Sequence, residues 1–294
     1  MTLDILIQII ASGLTLGAMY AVSTVGLSLV WGSLGMLNMA HGGLMAFGSY
    51  AAYYAMNALG LPLLPALLAA ILVGAALGAI IYHGAVQLML RQKAFETNVV
   101  IATVGLAFVL ENAILKLFGA HAQRQPLQVE GAIAVGSVVI PLQNILILGA
   151  ALILMLTVAM LLQKSRIGRA IRATAMNREA AQLMGVRVGQ IYALVLMLAG
   201  ALAAISGVMI SSLTGLSPGM GADPMLKAFI ICVVAGLGNV YGAVASALAL
   251  GLIESLSQFV LGVRFGFATL LLIVIVVLIW RPNGLFGRQQ VTRL

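Results

Sequence analysis

Residues 63–90 read LLPALLAAILVGAALGAIIYHGAVQLML, and no formally charged side chain interrupts them. A helix needs about 20 predominantly apolar residues to cross a hydrocarbon core of about 30 Å, and this run is long enough. It is continuously apolar and does not alternate, which predicts a helix and argues against a strand of a membrane barrel. Outward from it, comparable stretches occupy 5–30, 37–56, 97–118, 142–162, 189–213, 225–238, 242–262 and 266–280. The stretch 225–238 is short, and glycines punctuate 37–56, so both are expected to be broken helices. The expected fold is an all-α integral membrane protein. It forms one domain over 1–294, a polytopic bundle of eight or nine transmembrane helices.

Composition agrees. Of 294 residues, 63% are hydrophobic and 7% charged, with a mean hydropathy of +1.15. A soluble domain carries about 25% charged residues, and so few charges could not cover the surface of one. The 33 glycines suit close helix approach in lipid. The start, Met-Thr-Leu-Asp, lacks the basic region of a signal peptide, so 5–30 is expected to be a true first span. Cys232 stands alone in an apolar run, which excludes a disulfide framework, and His41, His83 and His121 are scattered, so no metal site is expected.

The net charge of +8 would suggest nucleic acid in a soluble protein, but the placement of the bases argues otherwise. Lys164, Arg166, Arg169, Arg172, Arg178 and Arg187 crowd one hydrophilic stretch, 163–188, between two apolar runs. That is the signature of a cytoplasmic loop. The stretch has no aromatic residue, which a nucleic-acid surface would interleave with its bases. Arg91 and Lys93, and the tail with Arg281, Arg288 and Arg293, fall on the same side; 119–141 (with Glu130) and 214–224 fall outside. Only Asp4 is charged in the first ninety residues, so the N-terminus is placed outside by counting back from Arg91.

Several polar residues within apolar runs are candidates for function, because such groups are costly in a membrane. Asn38 and His41 lie three apart and would share a helical face, with Met36, Met39 and Met45 as an adaptable lining. Glu111 and Glu254 could be ion sites or could pair with neighbours, Asn112 for the first and Ser255 or Ser257 for the second. Residues 35–50 and 234–246 faintly echo each other, each Gly-interrupted with an Asn and a Tyr. Interrupted segments in corresponding halves mark transporter pathways. In 163–188, Arg166, Arg169 and Arg172 form a basic edge of a helix, and Ile167, Ile171 and Ala175 an apolar one. Such a helix can lie on anionic lipid or dock in a partner's groove.

Four short motifs decide between these. Glu179-Ala180-Ala181 followed by Gly185 resembles the EAA-type loop by which ABC-importer permeases engage their ATPase, although no Leu-Pro follows near Ile191. With LNMAHG at 37–42, AGLGNVYGA at 235–243 and RPNGLFG at 281–287, the chain resembles the LivH-type permeases of branched-chain amino-acid importers. The resemblance implies the ABC-importer permease fold and a multi-pass location in the bacterial inner membrane. It implies four kinds of partner: the lipid bilayer, a second homologous permease in a heterodimer, two cytoplasmic ATPases and a periplasmic binding protein. No cofactor is implied. On that reading Arg166, Arg169, Arg172, Glu179 and Gly185 belong to the ATPase-coupling segment 163–188, and Asn38, Met39, His41 and Asn239 to the substrate pathway.

The sequence has no Gly-Lys pair and hence no P-loop, so energy must come from elsewhere. An ion-coupled transporter using Glu111 or Glu254 would also lack one. Urea or short amides are alternative cargoes within the same importer type. A membrane enzyme would need convergent acid, base or metal groups, and none is apparent.

Overall fold

The computed structural model describes residues 3–90, 92, 94–127, 129, 131–135 and 138–287. Arg91, Lys93, Glu130, Arg288 and Arg293, which contributed to the expected orientation, lie outside the described residues. The helices are α1 (Leu3–Leu34), α2 (His41–Asn57), α3 (Leu63–Ile81), α4 (Gln87–Met89), α5 (Phe95–Phe118), α6 (Leu142–Lys164), α7 (Arg166–Met176), α8 (Arg178–Leu183), α9 (Val188–Thr214), α10 (Ala222–Ala235), α11 (Val240–Leu261) and α12 (Phe265–Trp280). A π-helical turn, Tyr82–Val86, joins α3 to α4 without interrupting the rod. Among the described residues, six helices are long and apolar enough to cross a membrane: α1, the α3–α4 rod, α5, α6, α9 and α11. The all-α expectation needs one amendment. A small antiparallel hairpin, β1 (Ala132–Val135) and β2 (Val138–Pro141), forms in the hydrophilic segment before α6, where Ile133, Val138, Val139 and Ile140 supply β-branched side chains.

The most enclosed helices are α9 and α1, which pack against each other at the centre. α1 also runs along α11, and α9 along α3. Glycines bring these pairs into backbone contact, Gly17 against Gly251 and Gly74 against Gly200. Small residues of this kind let helices approach closely where no hydrophobic gain separates helix from lipid.

Two triplets, α1–α2–α3 and α9–α10–α11, therefore repeat one plan. Each is a long helix, a broken segment ending in a half-helix, and another long helix. They run in opposite senses. The last turn of α1 meets the α10–α11 loop (Gly32 against Gly238), and Gln163 at the end of α6 donates to Tyr241 at 2.6 Å. That end of the bundle also holds α7 and α8, whereas α9 starts there and runs away. At the far end, Gln123 pairs with Leu216, and Gln125 Nε2 bonds both the Ser49 carbonyl and Ser211. Inverted repeats of this kind typify transporters. The expected echo of 35–50 with 234–246 is displaced: the structural counterpart of 35–41 is 215–222. The segment 234–246 is instead the basic-end turn into α11.

Candidate functional site

The broken segments are built by glycine and local capping. α1 stops where Gly35 takes φ 65° and its N–H bonds the Trp31 carbonyl. Residues 36–40 then run without helical bonding. Asn38 Oδ1 accepts from the Ala40 N–H at 3.1 Å, and the Asn38 carbonyl accepts from His41, which opens α2. In the second triplet, Gly215 at φ 88° ends α9, and the chain turns through Ser217–Gly221 into α10. Asp223 in its first turn suits the positive end of the helix. The two half-helices thus start at one place and diverge toward opposite ends. There Gly42 and Gly221 touch so closely that a Cβ on Gly42 would lie 2.6 Å from the Gly221 carbonyl oxygen.

Asn38 and His41 do not share a helical face, because Asn38 precedes the helix. Both are buried, Asn38 with Nδ2 lacking a partner and His41 with Nδ1 lacking one. His41 Nε2 lies 3.2 Å from Ser23 Oγ, and the ring fits over Gly26, so it wedges α2 against α1. Met39 does face one, a cavity of about 200 Å3 between the Gly42–Gly221 contact and the far end. Asn239 is at the basic end. Its Oδ1 caps α11 through the Gly242 N–H, and its Nδ2 donates to the Phe286 carbonyl at 2.9 Å. Leu285 and Phe286 N–H groups bond the Val234 and Ala235 carbonyls, so the AGLGNVYGA and RPNGLFG motifs clasp each other. Asn239 also lines a larger cavity of about 500 Å3, walled by Gly32 and Ser33 of α1 and Arg172 and Ala175 of α7.

The two isolated acids differ. Glu254 is fully buried and pairs with Lys227 of α10 at 2.9 Å, with Gln258 Nε2 donating at 3.0 Å. Lys227 also reaches Asp223 at 3.0 Å and Tyr20 Oη at 3.2 Å. The serines expected as Glu254 partners point elsewhere, Ser255 to the Ile9 carbonyl and Ser257 to Thr269. Glu111 is half-buried and faces the smaller cavity, and its expected neighbour Asn112 bonds the Phe108 carbonyl instead. Lys227 was missed in the sequence; a lone cation in an apolar run that also lies opposite a lone acid was the available signal.

The basic segment 163–188 folds as two short helices. Ser165 caps α7 through the Gly168 N–H, Asn177 caps α8 through the Ala180 N–H, and Gly185 at φ 85° ends it. Ile171 and Thr174 face the bundle. Arg169 and Arg172 turn back onto the carbonyls of Lys164 and Leu162, closing the end of α6. Arg178 lies over the Tyr192 ring at 5.8 Å. Arg166 and Glu179 are exposed. The corner also exposes Met176 (84%), Leu183 (89%) and Met184 (84%), an apolar tip ringed by charge.

The family described as branched-chain amino acid transport system / permease component matches residues 9–280. The chain belongs to this family. It is 30% identical over 302 residues to the high-affinity branched-chain amino acid transport system permease protein BraD of Pseudomonas aeruginosa, covering 98% of each. It is 30% identical over 300 residues to LivH of Escherichia coli K12, covering 98% of this chain and 97% of LivH. A probable LivH of Methanocaldococcus jannaschii is 28% identical over 278 residues, covering 89% and 86%. Among solved structures, PsaBC from Streptococcus pneumoniae in complex with Fab aligns with a TM-score of 0.50 at 13% identity, over 90% of both chains. That likeness concerns the fold alone. The chain is a multi-pass membrane permease.

Proposed function

We propose that this chain is the membrane-spanning permease subunit of an ATP-driven importer of branched-chain amino acids. The match to BraD and LivH over nearly the whole chain carries the reading. The chain pairs with a second, homologous permease, takes cargo from a periplasmic binding protein, and is driven by two cytoplasmic ATPases. Nine crossings with an external N-terminus accord with the alternation of ends: α1, α3–α4, α5, α6, α9, α11, α12 and the two broken segments.

The docking element is the α7–α8 corner. Its exposed Met176, Leu183 and Met184, flanked by Arg166 and Glu179, suit insertion into an ATPase groove. Arg169 and Arg172 tie that corner to α6, so a push on α7 reaches the wall of the larger cavity. The pathway passes the half-helix starts beside Asn38 and Met39, with His41 holding α2 in place, and leaves through the larger cavity beside Asn239. Uptake of labelled leucine and labelled urea, in strains with and without the gene and with the partner ATPases inactivated, tests this. Leucine uptake should depend on both the gene and the ATPases. Uptake that survives ATPase loss, or that follows urea alone, contradicts it.

A further inference from the structure

The cavity of about 200 Å3 beside the Gly42–Gly221 contact contains a charge that the packing of the bundle does not account for. Glu111 reaches it from α5, its Oε1 only 3.1 Å from where a Cβ on Gly219 would stand. Among the described residues no cation or hydrogen-bond donor meets that carboxylate, although it lies in an apolar helix long enough to cross a membrane. Glu254 shows what a compensated acid looks like in this bundle, with Lys227 and Gln258 both on its Oε1.

The rest of the lining has two characters. Met39, Phe108 and Met225 are apolar. Gly42 and Gly43 at the start of α2 present bare backbone at the positive end of that helix, and Gly221 and Ala222 bring the start of α10 beside them, with the Ala222 N–H already bonded to the Gly219 carbonyl. The N–H groups of Gly42 and Gly43 have no acceptor among the described residues, whereas those of His41 and Leu44 on either side are bonded to Asn38 and Ala40. A simple cation would use the carboxylate and leave the helix starts idle. A neutral amide would need neither charge. A zwitterion with an apolar side chain uses all three.

We propose that Glu111 receives the ammonium group of the transported amino acid in this cavity, with the substrate carboxylate toward the starts of α2 and α10. Its side chain rests against Met39, Phe108 and Met225. Glu111 is thereby a specificity residue of the permease itself. This rests on the reading of the chain as an amino-acid importer subunit.

The test uses the complete importer, with ATPases and binding protein, in proteoliposomes supplied with labelled leucine. Leucine moved per ATP hydrolysed should fall by about tenfold in Glu111→Gln, the scale of one lost charge-assisted hydrogen bond. Binding-protein-stimulated ATP hydrolysis and the yield of assembled complex should hold, and Glu111→Asp should restore much of the ratio. An unchanged ratio in Glu111→Gln, with wild type active, overturns this proposal alone. So does loss of assembled complex in Glu111→Gln, because Glu111 would then serve subunit contact. A wild-type complex that moves no leucine removes the importer reading, and this proposal with it.

Discussion

The two half-helices start from the same contact, yet different forces hold them. α10 is fixed by charge: Lys227, with its side chain 12% exposed, joins Glu254 of α11, Asp223 and Tyr20 of α1. α2 is held by neutral groups, His41 on Ser23 and Gln125 on the Ser49 carbonyl, and by small-residue packing against α9. Glu111, whose carboxylate has no partner among the described residues, lies on the α2 and α5 side. Breaking one partner of a buried ion pair costs about 3–5 kcal/mol, whereas a neutral hydrogen bond contributes about 1 kcal/mol. One plan, used twice in opposite senses, thus yields one half held by charge and one held by neutral contacts.

The largest effect should come from breaking the meeting point itself. Gly221→Val puts a branched side chain into the Gly42 backbone, and no flexible neighbour can yield. Little monodisperse protein should survive detergent gel filtration, and uptake should vanish; normal yield would mean that the half-helices do not meet there. Next, Lys227→Met strands the Glu254 charge and should lower stability by about 3–5 kcal/mol. The double variant with Glu254→Gln should recover most of that loss in thermal unfolding in detergent, and no recovery would deny the pairing.

On the neutral side, Ser23→Ala removes the partner that the His41 ring has among the described residues and should cost only about 1–2 kcal/mol. If it cost as much as Lys227→Met, the contrast between the halves would fail. Smallest is Asn239→Ala at the basic end. Loss of the α11 cap should cost about 1 kcal/mol, with leucine uptake per folded protein close to wild type. A large uptake defect in stable protein would make Asn239 a pathway contact rather than a clasp.

The long helices were legible in the sequence because lipid leaves a simple rule: continuous apolar length. The doubtful spans 37–56 and 225–238 coincide with the short helices α2 and α10, and the interruptions lie just before those helices, after Gly35 and in the Ser217–Gly221 turn, rather than within them. The pairing of those segments was not legible. The segment 234–246, which echoes 35–50 in sequence, owes its Asn and glycines to the cap and clasp at Asn239, and 215–222 is unlike 35–41 in sequence. Asn38 and His41 were expected on one face, but three-residue spacing implies a common face only inside a helix, and Asn38 stands outside one. The role of Glu254 turned on Lys227, which is remote in sequence, and periodicity cannot report contacts between helices.

The most direct measurement is reconstitution of the purified permease pair in liposomes, with and without the two ATPases. Leucine should accumulate only when ATPases, ATP and binding protein are all present, and a proton or sodium gradient should add nothing. Accumulation by the permease pair alone, driven by an ion gradient, would contradict the importer and return the chain to the class of ion-coupled transporters.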